Sequence, residues 1–267
     1  MKPPSEIGDV NVRAGAFAQS TCRALDGDED RRNYHRYQHS LIAPHCGRSV
    51  LEIGAGTGAL SARFRDTERL VVTDVDPEAV DHLTQRFAGR TDVEVRAFDL
   101  LAGETLSEPV DTAVAVNVLE HVVDDAAALQ TLSRSVRPGG SLVLFVPGYD
   151  RLYGDFDRKV GHVRRYTPET LRSAAERAGL SVVSSRPVNL LGGLAWWAAV
   201  RKGGTGTPRP RMVRLYDRVI VPLTRALERF WTPSFGQSIF CVARVPARDP
   251  AAESSDSDGR RTHQPGP

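Results

Sequence analysis

The run Val50-Leu51-Glu52-Ile53-Gly54-Ala55-Gly56-Thr57-Gly58, followed by Val71-Val72-Thr73-Asp74, constrains this chain more than any other feature. Two apolar stretches too short for helices read as buried strands, and the glycines between them as a turn opening onto a helix. Glycines at 54, 56 and 58 remove side chains where backbone must turn sharply and approach a ligand. The helix expected over 58–65 would present unpaired N–H groups and a partial positive charge. With a carboxylate closing the second strand, this is the cradle of a ribose-bearing cofactor.

The alternation continues. Apolar runs at 49–53, 70–73, 93–97, 110–116 and 141–146 read as strands, and 58–65, 77–88 and 124–136 as the helices between them. Asp76 is placed to cap the helix that opens on Pro77, and Arg137-Pro138-Gly139-Gly140 to end a helix and turn into a strand. After Val146 comes a polar loop, 148–166, then a helix capped by Thr167 with Pro168 in its first turn, and two more strands, 181–187 and from 235 or 236 to 245. Strands alternating with helices require right-handed crossovers and a mostly parallel, doubly wound α/β sheet of Rossmann-like type.

Before the last strand lies a helical insertion, 190–234, with helices at 190–201 and 211–231 joined by a linker at 203–207. The second carries an apolar stripe at Met212, Tyr216, Val219, Ile220, Leu223, Leu227 and Phe230, with Arg211, Arg214, Arg218, Arg225 and Arg229 beside it. Such a stripe most often packs as core, and otherwise rests on an anionic membrane or encloses a lipid-like acceptor. Pro222 should bend or divide this helix. The organisation expected is a flexible N-terminus over 1–15, one domain over 16–246 and a disordered tail over 247–267.

A net charge of +2 from 35 basic and 33 acidic residues gives no field suited to nucleic acid, which is not expected as a partner. Cys22, Cys46 and Cys241 lack the paired spacing of a zinc site or disulfide framework, so no metal is expected and a reducing cytoplasm fits. No run is long and apolar enough for a membrane span, which leaves peripheral membrane contact open. Oligomeric state is also open.

The glycine loop alone does not separate a nicotinamide cofactor from other nucleoside cofactors. Glu52 decides, because a carboxylate in an apolar strand is costly unless it meets a cation, and S-adenosylmethionine brings a cationic amino group. Asp74 can accept bonds from both ribose hydroxyls, and Phe98-Asp99-Leu100 can place a carboxylate and apolar walls around adenine. The plainer readings are a helix cap for Asp74 and a turn residue for Asp99.

These motifs, with Asn117-Val118-Leu119-Glu120-His121 and the 137–140 turn in the same order, resemble the class I S-adenosylmethionine-dependent methyltransferases, in particular the ubiquinone-biosynthesis-like (methyltransferase type 11) branch, over roughly 33–188. The resemblance implies a seven-stranded sheet with its last strand antiparallel. It also implies that Glu52, Gly54, Ala55, Gly56 and Gly58 surround the methionine moiety, Asp74 and Val75 the ribose, and Asp99 and Leu100 the adenine. Asn117 would lie beside the cofactor and Tyr34 would cover it. His121 is then positional.

On the acceptor side, His162 is a candidate general base, and Tyr153, Arg164, Arg165 and Tyr166 are candidates to bind an anionic substrate. The competing reading is a surface hairpin laced by ion pairs of Asp157. The function expected is methyl transfer to an oxygen (hydroxyl, carboxylate or phosphonate) of a small secondary metabolite or lipid-like or glycolipid acceptor. A nicotinamide-dependent oxidoreductase and a non-catalytic binding protein are the alternatives.

Overall fold

The computed structural model describes residues 31–203 and 210–247. The expected flexible N-terminus, Cys22, the linker beyond Gly203 and nearly all of the expected tail lie outside these residues. Seven strands form one sheet: β1 (Ser49–Ile53), β2 (Arg69–Asp74), β3 (Val93–Ala97), β4 (Val110–Val116), β5 (Val136–Pro147), β6 (Ser181–Val188) and β7 (Ser238–Arg244). Their order is β3-β2-β1-β4-β5-β7-β6, with β7 antiparallel to both neighbours and the pairs among β1 to β5 parallel. Order reverses at β1 and β4, so the carboxyl ends of these two strands form a crevice where ligands meet sheets of this kind.

Alternate strand residues face opposite sides. Leu51, Ile53, Ala113, Ala115, Leu142 and Leu144 pack on α3 (Asp125–Ser133) and α5 (Pro168–Arg177). Val50, Val72, Val114, Val143 and Phe145 pack on α1 (Arg32–Ile42) and α2 (Pro77–Phe87). Continuous apolar runs are what a sheet covered on both faces requires. The expected caps form: Asp76 accepts from Glu78 N–H at 3.0 Å, and Thr167 exchanges bonds with Thr170. Arg137–Gly140 loops out of β5 between the pairs Val110↔Val136 and Thr112↔Ser141, so the predicted turn falls within a strand.

The expected helix over 58–65 is corrected to a short 3-10 turn, Ser61–Arg63. Gly54, Gly56 and Gly58 all hold positive φ, which carries the chain past the point where a helix could start, and Ser61 is drawn inward to Glu52. The anion-binding helix terminus expected here is absent. Gly58 also admits no side chain, since a Cβ would sit 2.7 Å from Leu83 and 2.9 Å from Phe87.

A short helix, α4 (Asp155–Val160), occupies the acceptor-side loop. The insertion consists of α6 (Leu190–Gly203), α7 (Pro210–Leu215) and α8 (Val221–Glu228), the last two joined by a π-helical turn, Tyr216–Ile220. Pro222 lacks an N–H and cannot continue a regular ladder, and the wider turn immediately before it absorbs the mismatch. The extra residue rotates the helix face. Tyr216, Asp217, Val221 and Thr224 turn toward the domain, Tyr216 packing on the core and Ile220 half-buried, whereas Met212, Leu215, Val219, Leu223, Leu227 and Phe230 are exposed, so most of the stripe does not pack as core.

Asp217 explains how the insertion is fastened. Arg31, at the start of α1, contributes no side-chain cap, and the buried Asp217 carboxylate accepts from Asn33 N–H (3.1 Å) and Tyr34 N–H (2.8 Å) instead. The Tyr37 hydroxyl donates to Glu228 and accepts from Asn189 N–H at 3.0 Å.

Candidate functional site

Glu52 lies at the carboxyl end of β1 and is buried, with its neighbour across β2 ending in Asp74. Ser61 Oγ donates to Glu52 Oε2 at 2.5 Å. Burial pushes the Glu52 carboxyl up to about 7, against the Ser61 bond that lowers it, and the negative charge of Asp74 adds to the rise. A cation arriving here would relieve both the desolvation and the repulsion. Sequence reasoning expected a cation at Glu52 and missed Ser61, whose hydroxyl donates to the acid.

Asp74 holds the glycine loop in place. Oδ2 accepts from Gly56 N–H at 2.9 Å and Oδ1 from Asp76 N–H at 3.0 Å. It therefore does not cap α2, which Asp76 does, and each oxygen keeps acceptor capacity for a further donor. Ala55 N–H bonds Thr73 carbonyl at 2.9 Å, fixing the loop to β2. Gly54, at φ 66°, brings backbone close to β4's end: a Cβ there would meet Val118 at 2.7 Å. Val75 is exposed on the rim and Leu100 is buried.

Asp99 Oδ1 accepts from Leu101 (2.8 Å) and Ala102 (3.2 Å) N–H, the turn role that was the plainer reading, while Oδ2 is not engaged by these bonds. Asn117 is exposed after β4 in left-handed backbone (φ 53°), its N–H tied to Phe145 carbonyl at 2.8 Å. Tyr34 projects from α1 and packs edge-on to Phe145, with ring centroids 6.4 Å apart. The carboxyl ends of four parallel strands, β1 to β4, together with α1, thus carry the residues proposed from sequence.

The acceptor-side residues are arranged differently from the expectation. Asp157, completely buried, is the hub: it accepts from Arg165 Nε (2.8 Å) and Nη2 (3.0 Å), from Gly154 N–H (2.8 Å), and lies 2.7 Å from His162 Nδ1. Burial would raise its carboxyl, but the bonds from His162 and Arg165 outweigh that and hold it low. Arg165 also donates to Gly148 carbonyl, and Arg164 donates to Asp125 (2.8 Å) and Val123 carbonyl (2.5 Å). Tyr166 is buried with its hydroxyl on Leu119 carbonyl and Asp125, and Tyr153 donates to His162 carbonyl.

Arg164, Arg165 and Tyr166 are therefore corrected from a substrate clamp to internal pairs that hold the loop against β4 and β5. Of the competing reading, the lacing by Asp157 is present in its pair with Arg165, whereas the surface hairpin is replaced by the short helix α4 with its acid buried. The pairing of Arg-Arg in sequence gave no sign that both guanidiniums were already committed.

His162 meets the residues that follow β4. Its Nε2 lies 3.7 Å from Glu120 Oε1, and its ring lies 4.8 Å from that of His121. Glu120 is wholly buried, neither of its oxygens accepts a hydrogen bond, and burial pushes its carboxyl up to about 7. His121 donates to Gly161 carbonyl, which raises it, but burial first, then His162, lowers it to about 4. His162 keeps only 8% of its side chain exposed, which leaves it fixed rather than open to solvent. Trp196 of α6 closes this side, donating to Leu152 carbonyl and stacking edge-on with Phe156.

A methyltransferase-domain family model matches residues 25–185. Among curated proteins, a ubiquinone biosynthesis O-methyltransferase of Methylobacterium nodulans is 33% identical over 63% of this chain and 78% of its own length. A Mycolicibacterium smegmatis protein named "Probable S-adenosylmethionine-dependent methyltransferase" is 31% identical over 64% of this chain and 66% of its own. The chain spans 43% of the length of another curated relative, an uncharacterized 37.1 kDa transposon protein of Streptomyces fradiae. A methyltransferase solved in complex with the Haloferax volcanii Trm112 activator shares the fold, with a TM-score of 0.59 at 21% identity over 88% of this chain and 99% of that one.

Proposed function

From the premise that this chain belongs to the methyltransferase-domain family and is an S-adenosylmethionine-dependent methyltransferase, we propose that its single domain, 16–246, methylates an oxygen of a lipid-like small molecule presented at an anionic membrane surface. Methyl transfer from a sulfonium is an in-line displacement, in which the bond from acceptor to methyl forms as the bond from sulfur breaks. Orientation supplies most of the acceleration.

In this proposal Glu52 meets the cationic amino group, and Gly54, Ala55, Gly56 and Gly58 line the methionine moiety. Asp74 and Val75 meet the ribose, Asp99 and Leu100 the adenine, and Asn117 and Tyr34 close the rim. Glu52 supports the assignment best, since it is buried beside a second carboxylate with only a hydroxyl for partner.

The acceptor class rests on one observation. The outward face of 210–231 carries exposed apolar side chains, including Leu215 at 62% and Phe230 at 86%, among the exposed Arg211, Arg214, Arg218, Arg225 and Arg229. Its two acids both turn inward, Asp217 onto α1 and Glu228 onto Tyr37 and Leu190 N–H. A cationic and apolar face without exposed acids complements anionic headgroups over an acyl boundary. Among the described residues no helix is long and apolar enough to cross a membrane, so contact would be peripheral.

The oxygen comes from the likeness to the ubiquinone O-methyltransferase; the anionic acceptor group has lost its motive with Arg164 and Arg165. Cosedimentation with phosphatidylglycerol vesicles at low salt, and not with phosphatidylcholine vesicles, is expected, as is transfer of labelled methyl from cofactor into the organic phase of a lipid extract. Label confined to water-soluble products, with no vesicle binding, would replace the lipid reading by that of a soluble metabolite.

A further inference from the structure

We propose that Glu120, His121 and His162 form a binding site for a divalent metal ion of zinc type. Their potential ligand atoms all lie within 4.8 Å of one another, and Glu120 Oε1 and His162 Nε2 are 3.7 Å apart. That separation exceeds hydrogen-bonding reach, so the imidazole does not satisfy the acid. A buried carboxylate whose two oxygens accept no hydrogen bond is costly, and here both belong to a wholly buried side chain aimed at two imidazoles.

The surroundings are those of ligands held for a metal. His162 has its Nδ1 on the Asp157 carboxylate at 2.7 Å, which directs Nε2 toward Glu120. His121 has one nitrogen engaged with Gly161 carbonyl. A carboxylate behind one ligating histidine and a carbonyl behind another is the arrangement that fixes tautomer and ring orientation around bound metals. Asp157 is itself balanced by Arg165, so the negative charge of Glu120 is left for the ion.

Two nitrogens and one carboxylate suit zinc, and three protein donors leave a fourth position for water or an acceptor oxygen. Tetrahedral ligands bonded at ~2.0–2.1 Å stand ~3.3 Å apart, so binding would draw the three groups inward by about an ångström. The backbones of the two halves are already joined, Val163 N–H being bonded to Glu120 carbonyl at 2.9 Å, so the approach is left to the side chains. Cysteine spacing gave no sign of this, since the acid–histidine pair follows β4 and the other histidine follows α4.

The test is direct binding to the full chain. Zinc competition against a chromophoric chelator should give one ion per chain. Cobalt(II) should develop the intense visible bands of a four- or five-coordinate ion. Glu120→Gln and His121→Ala should each weaken zinc at least 10-fold while adenosylhomocysteine binding, measured by calorimetry, reports that the fold and the cofactor cradle persist. If a variant fails to bind adenosylhomocysteine, the wild-type cobalt spectrum decides. Wild-type protein that binds adenosylhomocysteine but takes up no zinc, and leaves cobalt in its pale octahedral aqua form, would overturn the proposal. Equal zinc affinity in Glu120→Gln would overturn it too.

Discussion

The crevice at the ends of β1 and β2 and the loop behind β5 each bury a carboxylate, and they treat it in opposite ways. Glu52 has one hydroxyl bond and a like charge beside it, so burial wins and its carboxyl rises to about 7. Asp157 has an arginine, a histidine and a backbone N–H, and these hold it low despite burial. An acid left short of partners is available to a ligand, whereas one with its acceptor sites filled is a fastener. Local sequence chemistry does not distinguish them; the count of donors does.

The largest effect is expected at Asp157. Asp157→Asn should cost about 3–5 kcal/mol by leaving Arg165 buried and unpaired, read as a lowered urea midpoint. Asp157→Leu with Arg165→Met should recover part of that loss, because no buried guanidinium is then left without its carboxylate, while Gly154 N–H and His162 Nδ1 still lose their acceptor. If the single change costs less than 1 kcal/mol, Asp157 is not a fastener.

Glu52→Gln should do the reverse: adenosylhomocysteine affinity falls about 10- to 100-fold, consistent with ~1.5–3 kcal/mol for a bond to a charged group, while stability holds or rises. The pH dependence has a definite sign. The folded carboxyl is raised from 4.5 to about 7, so between these values the folded state keeps a proton the unfolded state has lost, and stability falls as pH rises through that window. The loss is on the order of 3 kcal/mol for a shift of this size. Glu120, raised likewise, adds its own slope over this window, so unfolding of Glu52→Gln should show a reduced slope and not a flat one, and product affinity in the wild type should climb over the same range as Glu52 ionises.

A smaller effect is expected at Asp217, which caps α1 from the insertion. Asp217→Ala should cost about 1–2 kcal/mol, as loss of an N-cap does, and should raise amide exchange at Asn33 and Tyr34. The smallest stability change belongs to the outward face: Leu215→Ser with Leu223→Ser should move stability by no more than ~0.5 kcal/mol, yet reduce vesicle cosedimentation sharply. Unchanged cosedimentation would show that the exposed stripe is not the contact.

Much of the fold was legible because it is written in local periodicity. The strands at 49–53, 93–97 and 110–116 fall where their apolar runs do, and Asp76-Pro77 and Thr167-Pro168 open helices because capping depends on residues next to each other. The failure over 58–65 has a local cause as well. Three glycines at positive φ take more chain than a turn usually needs, and Ser61 then answers to Glu52.

The acceptor side was less legible because its chemistry is settled by contacts between distant segments. Arg164 and Arg165 look like a clamp until Asp125 and Asp157 are seen to hold them. The stripe in 211–231 looks like core until the π-helical turn rotates it outward and Asp217 binds α1.

The strand–helix alternation, the positive-φ glycine turn and the burial of a carboxylate at Glu52 follow from local sequence, since each depends on backbone preferences and on the apolar strand around it. Only the tertiary structure decided which charges are already neutralised and which are left for a ligand, because a carboxylate's surroundings in a folded chain are drawn from strands and loops that no short stretch of sequence brings together.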